Sequence, residues 1–426
     1  MSDYFNLTAF DRKRKRQPNN THAKNAKELI VDPSCCHIDY TSTGNDNVPF
    51  KVSEEWYRKT DSGGNLYFFS PKDSKLLAEA IDCFGDGTFA PISGKGVKCH
   101  FVQLYILSVR LELQKDAVLS FPCVFVFMTS FSSLNYDLVF KTLKSIIYKD
   151  VGFEFSPCNF YIDFEKSSMK ALKDNFPNAH IVNCYFYCLQ TWRRKFLQLG
   201  FKEKIEVRSE NFSPKFVEFW SFLSGLPNMN LHLSCFRDQI KIELDYYKNN
   251  LPFDSTAQKE AFDKYLRYLD KYYFSENATF PFKNWEQFTN ITSNPDNFSR
   301  TTNVSESVHS SLNKNYIYKR NFNASIKKLH LFKESYVRSL AAYSPSNYFN
   351  SNVKPSNKRS VRPSDRNRLN KLASIIRSFG QLPLSEQILN FRAHAIECGS
   401  LRRCAYEKNK IWSSETLNSD IVSYEE

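Results

Sequence analysis

Three acidic residues, Asp86, Asp163 and Glu306, stand in local sequences where a carboxylate could bind a metal ion. Gathering three carboxylates is unfavourable because like charges repel and raise one another's pKa, and divalent cations offset that repulsion. Mg²⁺ prefers such hard oxygen ligands. Two ions held in this way can activate a water or a 3′-hydroxyl and stabilise the leaving oxygen of a phosphodiester. The candidate chemistry is therefore metal-dependent cleavage or transfer of phosphodiesters.

Asp86 and Asp163 also have ordinary structural explanations. Asp86 lies between Gly85 and Gly87, which would let a ligand approach closely, but Asp-Gly is also a common turn pair. Asp163 follows the apolar run Asn159–Ile162 and precedes a helical pattern, so it could be a helix N-cap. The carboxyl end of a strand is nevertheless where open α/β sheets bind their ligands. Both interpretations stay open for each residue.

Glu306 belongs to the polar segment Arg300–His309. If this segment is helical, Asn303, Glu306 and His309 recur at three-residue spacing and share one face. Such a stripe could face a metal ion or a phosphate, or it could be an exposed helix surface. The segment alone does not decide between these two interpretations.

The elements that must position these acids predict a mixed α/β sheet. Runs rich in β-branched and aromatic residues predict strands, and apolar residues at helical spacing predict helices between them. The predicted strands are Ile81–Phe89, Phe101–Val109, Val118–Met128, Asn159–Ile162 and Ile181–Cys184, with helices at Leu134–Tyr148, Glu165–Asn175 and Leu189–Leu199. Three meandering strands followed by alternating helices and strands are typical of the ribonuclease-H-like fold, whose mixed sheet has helices on both faces.

The remaining segments predict the domain organisation. Residues 1–75 are expected to be a flexible basic N-terminal segment and linker, and residues 76–315 the catalytic domain. Amphipathic stretches rich in Tyr and Phe predict a helical insertion at about residues 200–295, before the last catalytic helix. Residues 316–426 are expected to form a basic C-terminal tail, helical or disordered, with a last helical pair at Leu369–Phe379 and Leu384–Ala395.

The positive charge of the chain is concentrated near its C-terminus. The net charge is +13, and residues 311–410 alone hold 20 Lys and Arg against 5 Asp and Glu. A basic block beside a near-neutral body indicates a polyanionic partner such as DNA, although a solvated tail of no specific use is the alternative. The expected phosphate contacts are Lys319, Arg320, Lys327, Lys328, Lys358, Arg359, Arg362, Arg366 and Arg368.

Targeting signals indicate a nuclear protein. The longest apolar stretch, about Phe121–Met128, is far shorter than the roughly 20 residues that a membrane span requires. The basic run Arg12–Arg16 has no apolar segment behind it, so it predicts nuclear localisation or phosphate contact rather than secretion. Eleven cysteines without a repeating framework are typical of reduced thiols inside the cell.

Taken together, these residues resemble the transposase domain of Mutator-like elements (MULE) over roughly residues 75–315. The family's Asp-Gly-Thr-Phe signature is similar to Asp86–Phe89, and its Asp-Phe-Glu signature is similar to Asp163–Glu165. The other motifs follow in the family's order: Pro91, Gln103-Leu104-Tyr105, Phe176-Pro177-Asn178-Ala179, Gln190-Thr191-Trp192-Arg193, Leu199-Gly200, Trp285 and Arg300–His309.

The resemblance implies a DNA transposase that cleaves the ends of a mobile element and joins the freed 3′-hydroxyl to target DNA. Asp86, Asp163 and Glu306 would then be the catalytic triad that holds two Mg²⁺ or Mn²⁺ ions. Asn303 and His309 would be supporting residues near the scissile phosphate. The family also implies transposon ends and target DNA as partners, and a homodimer.

The chain departs from the family's Cys-x-x-His motif, which stands here as Cys184-Tyr185-Phe186-Tyr187. Cys184 and Tyr187 are still expected to support the site, because a phenol can donate a hydrogen bond to phosphate, although it cannot take the proton or metal role of His. Cys35-Cys36-His37 also lacks the spacing of a zinc finger. A domesticated or degenerate transposase-derived protein that binds DNA without catalysis therefore stays open. A cellular exonuclease of the same fold agrees less well with the helical insertion.

Overall fold

The apolar runs around Asp86 and Asp163 belong to one mixed sheet. The computed structural model describes residues 31, 33–43, 49–89, 100–112, 118–206, 208–293, 303–315, 322–343, 355 and 363–408. The strands within these ranges are β1 (His37–Thr43), β2 (Pro49–Glu55), β3 (Tyr57–Thr60), β4 (Leu66–Phe68), β5 (Asp82–Thr88), β6 (Gln103–Glu112), β7 (Val118–Met128), β8 (Asn159–Ile162) and β9 (His180–Asn183). Seven of these described strands form the sheet, in the order β3-β4-β7-β6-β5-β8-β9, and β1 pairs with β2 separately.

The helices divide between two compact units of the chain. They are α1 (Pro71–Ala78), α2 (Ser133–Val151), α3 (Lys166–Asn175), α4 (Tyr185–Phe196), α5 (Lys202–Ile205), α6 (Pro214–Gly225), α7 (Ser234–Asn250), α8 (Thr256–Leu269), α9 (Phe282–Trp285), α10 (Phe288–Ser293), α11 (Asn303–Asn315), α12 (Phe322–Tyr343), α13 (Pro363–Gly380) and α14 (Leu384–Lys408). The sheet unit comprises Phe10–Val182 and Thr301–Ser360. The helical unit consists mainly of Asn183–Arg300 and Val361–Glu426.

The core of the sheet unit lies on β6 and β7, whose residues are buried along nearly their whole length. Strands that are covered on both faces have continuous apolar runs rather than an alternating pattern, as these two do. Helix α2 packs its aromatic residues on the sheet, with the Tyr136 ring 5.5 Å from Tyr105 in β6 and the Phe140 ring 6.4 Å from Phe160 in β8. Helix α11 packs against β5, β6 and β7.

Pairing around β5 combines both strand directions. β5 is antiparallel to β6 and parallel to β8, and β6 is antiparallel to β7. The sequence therefore predicted the mixed α/β sheet correctly. The predicted strand Val118–Met128 and the predicted strand Asn159–Ile162 coincide with β7 and β8. The sequence also predicts a turn at Leu111–Asp116, between the second and third strands, and residues 113–117 lie outside the described residues.

Residues 49–75 are folded, so the predicted flexible linker is wrong for this stretch. Trp56 is completely buried and packs 5.0 Å from the ring of Phe68, which lies in β4. β4 in turn pairs with β7, so the segment extends the main sheet. The side chain of Asp61 accepts hydrogen bonds from the backbone of Gly63 and Asn65 and closes the turn between β3 and β4. These buried contacts hold the segment in place.

Of the predicted tail, residues 316–426, the described helices α12, α13 and α14 pack within the two units, and α13 and α14 contain the predicted helical pair. In the sheet unit, α12 contributes Lys333, which is buried and paired with Asp73 of α1. In the helical unit, α14 packs closely on α6. A Cβ at Gly225 would collide with the backbone carbonyl of Ala395, and a Cβ at Gly399 with that of Ser221. Backbones this close form an interior contact between helices.

The predicted helical insertion is confirmed as helical, but its limits differ. The helical unit begins at Asn183 rather than near residue 200, and it includes α13 and α14 from the C-terminal region. Its core is aromatic, with Trp192, Phe219, Tyr247, Tyr265 and Trp285 almost completely buried. No helix among the described residues is long and apolar enough to cross a membrane.

Candidate active site

The strand register places Asp86 beside Asp163. Gly85 in β5 is the partner of Ile162 in β8 across the parallel pair, and each acid is the next residue along its strand. Neighbouring strands lie ~4.8 Å apart, so the two carboxylates leave the backbone side by side at the carboxyl end of β8. Asp163 directly follows β8, at the position where open α/β sheets bind ligands.

The turn interpretation of Asp86 is wrong, because this residue lies inside β5 and pairs with Ile106 of β6. Its flanking glycines have a packing role. A Cβ at Gly85 would collide with the hydroxyl of Tyr105, and a Cβ at Gly87 with the amide oxygen of Gln103. Large polar side chains of β6 therefore cover β5 on either side of Asp86. The backbone N–H of Gly87 donates a hydrogen bond of 2.7 Å to Asp86 Oδ1.

The N-cap interpretation of Asp163 is also wrong. Helix α3 begins at Lys166, and its N-cap is Glu165, whose side chain makes no capping hydrogen bond. Asp163 is therefore not the N-cap of this helix, and it interacts electrostatically with Asp86.

Helix α11 brings the third acid to the same edge of the sheet. Val304, Val308 and Leu312 are buried, and they hold the helix against β5, β6 and β7. Glu306 and His309 lie next to these anchors and are partly exposed. His309 Nδ1 lies 3.3 Å from Asp86 Oδ2. The segment is helical as predicted, and His309 on this helix contacts Asp86, whereas the side chain of Asn303 lies outside the described residues.

Burial, with added repulsion among the carboxylates, sets the electrostatics of the site. Only 10% of the Asp86 side chain is exposed, and burial raises the pKa of its carboxyl well above the usual value. The charges of Asp163, Glu306 and Glu165 raise this pKa further, while the hydrogen bond from Gly87 opposes the shift. Three other acids therefore lie within electrostatic range of Asp86.

His309 is neutral at pH 7, because its desolvation lowers the pKa of the imidazole to about 4. Its Nδ1 lies 3.3 Å from Asp86 Oδ2, so the ring that faces this carboxylate brings no positive charge to it. The second ring nitrogen, Nε2, is buried and has no hydrogen-bond partner within the described residues. Buried polar atoms of this kind are rare, and they indicate an ion, a water or a ligand at the site.

Glu165 is a site residue that the sequence predictions missed. Burial raises the pKa of its carboxyl to about 7, and the hydroxyl of Tyr136 donates a hydrogen bond of 2.7 Å to Oε2. The amide of Gln103 donates in turn to the Tyr136 oxygen, so the network links α2, β6 and the start of α3. The signal was the spacing Asp163-Phe164-Glu165. The two carboxylates of this motif are separated by a single residue, Phe164, which is buried.

The donor set suits hard divalent cations. Asp86, Asp163, Glu165 and Glu306 offer carboxylate oxygens, and a cation would relieve the repulsion that raises the pKa of Asp86. Among the residues that the structure describes, however, no group of three His, Cys, Asp or Glu side chains is already arranged around one point as metal ligands. Carboxylate oxygens are suitable ligands for divalent cations, and binding would require these side chains to rotate toward a common point.

The other predicted site residues lie elsewhere in the chain. Cys184 is buried and directly precedes α4 in the helical unit, and Tyr187 lies in the first turn of that helix. Lys327 and Lys328 lie on α12, exposed and partly exposed respectively. Arg366 and Arg368 lie on α13, but their side chains are outside the described part. The remaining predicted contacts also lie outside the described residues: Lys319, Arg320, Lys358, Arg359, Arg362 and the run Arg12–Arg16.

Comparisons of the chain with protein-family models, with curated proteins and with solved structures find no match. The resemblance to MULE transposases therefore stays a prediction from the motifs. The functional interpretation therefore depends on the carboxylate cluster and on the order of the strands that hold it.

Proposed function

We propose that this chain is the catalytic domain of a MULE-type DNA transposase, which cleaves and transfers DNA strands with Asp86, Asp163 and Glu306. The observation that carries the proposal is the convergence of these acids from β5, from the end of β8 and from α11. They come from three separate segments of the chain, so their proximity is a product of the fold. The raised pKa of Asp86 is the expected signature of such a functional cluster.

The strand order supports a ribonuclease-H-like fold for the sheet unit. β5, β6 and β7 form an antiparallel meander, and β8 returns beside β5 in parallel after helix α2. β9 then continues the sheet beyond β8 after helix α3. This is the order of elements that the sequence predicted for that fold, with β3 and β4 added at the far edge.

In this mechanism, Asp86, Asp163 and Glu306 would hold two Mg²⁺ or Mn²⁺ ions. The ions would supply activation of the attacking oxygen and stabilisation of the leaving oxygen. Gly87 orients the Asp86 carboxylate through its backbone N–H, and His309 Nδ1 lies 3.3 Å from the same carboxylate. Tyr136 holds Glu165 in a defined position next to the triad. Fixed carboxylates lower the reorganisation needed at the moment of reaction.

The proposed partner is DNA, both as transposon ends and as target, and the proposed location is the nucleus. The excess of Lys and Arg over residues 311–410 supports binding of a polyanion. A homodimer is proposed from the family resemblance. Binding should weaken steeply with added salt, because each neutralised phosphate releases counterions.

A second candidate function is DNA binding without catalysis by a transposase-derived protein. One observation favours it: Tyr187 stands where the family has His. This candidate predicts intact DNA binding together with no effect of metal ions on the DNA.

The deciding experiment is nicking of supercoiled plasmid DNA by the full chain, with Mg²⁺, with Mn²⁺ and with EDTA. The wild type is compared with Asp163→Asn and with the control Asp174→Asn, an identical change at an exposed position on α3. We expect metal-dependent nicking in the wild type and in the control, and a loss of at least about 10²-fold in Asp163→Asn.

The outcomes separate the two candidates. Nicking that needs metal and disappears only with Asp163→Asn would support the transposase. Equal behaviour of all three proteins, with DNA still bound, would show that the acids are not a catalytic triad and would favour the binding protein.

A further inference from the structure

The helical unit contains a group of basic and aromatic side chains that the sequence predictions did not include. It combines two residues of α4 with five from α8 and the π-helical turn Asp270–Phe274 that follows it. We call this group the basic–aromatic surface: Arg194, Lys195, Lys264, Arg267, Tyr268, Lys271 and Tyr272.

Buried tyrosine and tryptophan side chains bring the two helices together. Tyr265 is completely buried, and its hydroxyl donates a hydrogen bond of 3.1 Å to the backbone oxygen of Trp192 in α4. With this face of α8 turned inward, Lys264, Arg267 and Lys271 are all exposed. Their spacing of three and four residues places them along one stripe of the helix. The fold thus presents three cations in a row to solvent.

Two partly exposed tyrosines lie beside this stripe. The rings of Tyr268 and Tyr272 are 5.1 Å apart. Lys195 Nζ lies 5.5 Å from the centre of the Tyr268 ring, and Lys271 Nζ lies 5.0 Å from that of Tyr272. Arg194 is also within electrostatic range of Tyr268. Cations therefore flank the aromatic pair from both helices.

The charge of the surface is positive. Asp263, the nearest acid before the stripe, forms an ion pair with Lys248 at 3.1 Å. From residue 264 to residue 275 the sequence holds Lys264, Arg267 and Lys271 but only one acid, Asp270. Such an excess attracts a polyanion, and its position on helices rather than in the C-terminal tract makes it a separate feature.

We propose that the basic–aromatic surface binds a DNA strand, with phosphates at Lys264, Arg267 and Lys271 and an unpaired base stacked on Tyr272. Combining a row of cations with accessible aromatic faces is how proteins hold single-stranded nucleic acid, because every base has a face that can stack. An acidic protein segment would use the cations but would gain little from the rings. The proposal goes beyond the proposed catalysis, since this binding needs neither the carboxylates nor metal ions.

The test measures binding of labelled single-stranded and duplex oligonucleotides to the full chain in EDTA, at several salt concentrations. EDTA removes divalent cations, so the result does not depend on whether the carboxylate site is active. The charge variant is Lys264→Ala/Lys271→Ala, and its matched control is Lys215→Ala/Lys241→Ala, two exposed lysines on other helices of the same unit. Thermal unfolding confirms that each variant is folded.

We expect the charge variant to bind single strands about tenfold more weakly, with a smaller salt dependence, while the control stays within about twofold of wild type. Tyr272→Leu should weaken single-strand binding about fivefold or more, and Tyr272→Phe should retain it because the ring is kept. Duplex DNA should be less sensitive to Tyr272→Leu, since its bases are already stacked.

Two results would overturn the proposal. One is an equal loss of affinity in the charge variant and in its control, which would show that binding depends on the overall net charge of the protein and not on this surface. The other is unchanged binding by Tyr272→Leu, which would remove the stacking contact. Tighter binding of RNA than of DNA of the same sequence would assign the surface to another partner and would also contradict the proposal.

Discussion

A carboxylate surrounded by other carboxylates is unstable unless something compensates its charge. In this site Asp86 is nearly buried and lies within range of three further acids, while His309 is neutral and brings no positive charge. Glu165 is held by Tyr136, yet burial still raises the pKa of its carboxyl. Without cations, ionisation of these groups therefore works against folding. This conflict is the residue-scale reason to expect metal ions here.

Glu165→Gln should stabilise the metal-free protein at alkaline pH. The pKa of Glu165 is raised from 4.5 to about 7 in the folded state, so the destabilisation accumulates as the pH rises between these two values and is complete above pH 7. The variant should match wild type near pH 4 and be more stable at pH 8, by at most about 3 kcal/mol. Urea unfolding in EDTA at both pH values measures this. The exposed Glu210→Gln is the control, and equal pH dependence in all three proteins would contradict the prediction.

At the scale of elements, the site depends on how β6 lies against β5. Tyr105 and Gln103 fill the space that side chains at 85 and 87 would need, so the two glycines permit the pairing. Asp86 projects from the opposite face of β5, because successive side chains of a strand alternate between its two faces. A change at these glycines should therefore alter the sheet itself, before any effect on a ligand.

Gly85→Ala should destabilise the protein by about 1–3 kcal/mol, because the new methyl group collides with the Tyr105 hydroxyl. Tyr105→Phe removes that hydroxyl, so the double variant should recover part of the loss. Chemical denaturation of the two single variants and the double variant yields the coupling energy. Gly380→Ala, at a position with open space around it, should be neutral. Strictly additive effects at 85 and 105 would show that the clash is not what destabilises the sheet.

Helix α12 should depend on its buried lysine. Lys333 Nζ donates to Asp73 and, over 2.8 Å, to the backbone oxygen of Pro122, so it joins α12 to α1 and β7. Lys333→Met leaves Asp73 buried and unpaired, which typically costs about 3–5 kcal/mol. Lys327→Met, at an exposed position on the same helix, should change the free energy of unfolding by less than about 0.5 kcal/mol. Similar values for the two variants would contradict this role.

Local patterns in the sequence were enough to predict the strands and the helix that hold the candidate site residues. The apolar runs of β7 and β8 and the three-residue spacing of Asn303, Glu306 and His309 predicted these elements correctly. The short strands β3 and β4 were not predicted, because four and three residues are too few to show an alternating pattern of apolar side chains. Glu165 was missed as a site residue because its role depends on Tyr136, 29 positions away. Contacts between distant segments cannot be inferred from spacing.

Each of the two units is built from segments that are not continuous in the sequence. The sheet unit is completed by α11 and α12 after the chain has formed much of the helical unit, and the helical unit is completed by α13 and α14 afterwards. Each unit thus needs segments that are far apart in sequence. A basic composition made residues 316–426 resemble a tail, but its apolar positions belong to two cores, with Leu329 and Phe332 in one and Phe391 and Ala395 in the other.

Removing α13 and α14 should therefore unfold the helical unit instead of trimming a tail. Gly225 and Gly399 allow backbone contact between α6 and α14, and Phe391 packs 5.2 Å from the ring of Phe236. A chain that ends at Ser360 would expose these surfaces. We expect it to lose helical circular dichroism beyond the deleted residues and to become sensitive to protease between residues 183 and 300. A chain that ends at Lys408 keeps both helices and should match the full protein. If the shorter chain also kept its structure, α14 would be dispensable, and the predicted tail would be correct after all.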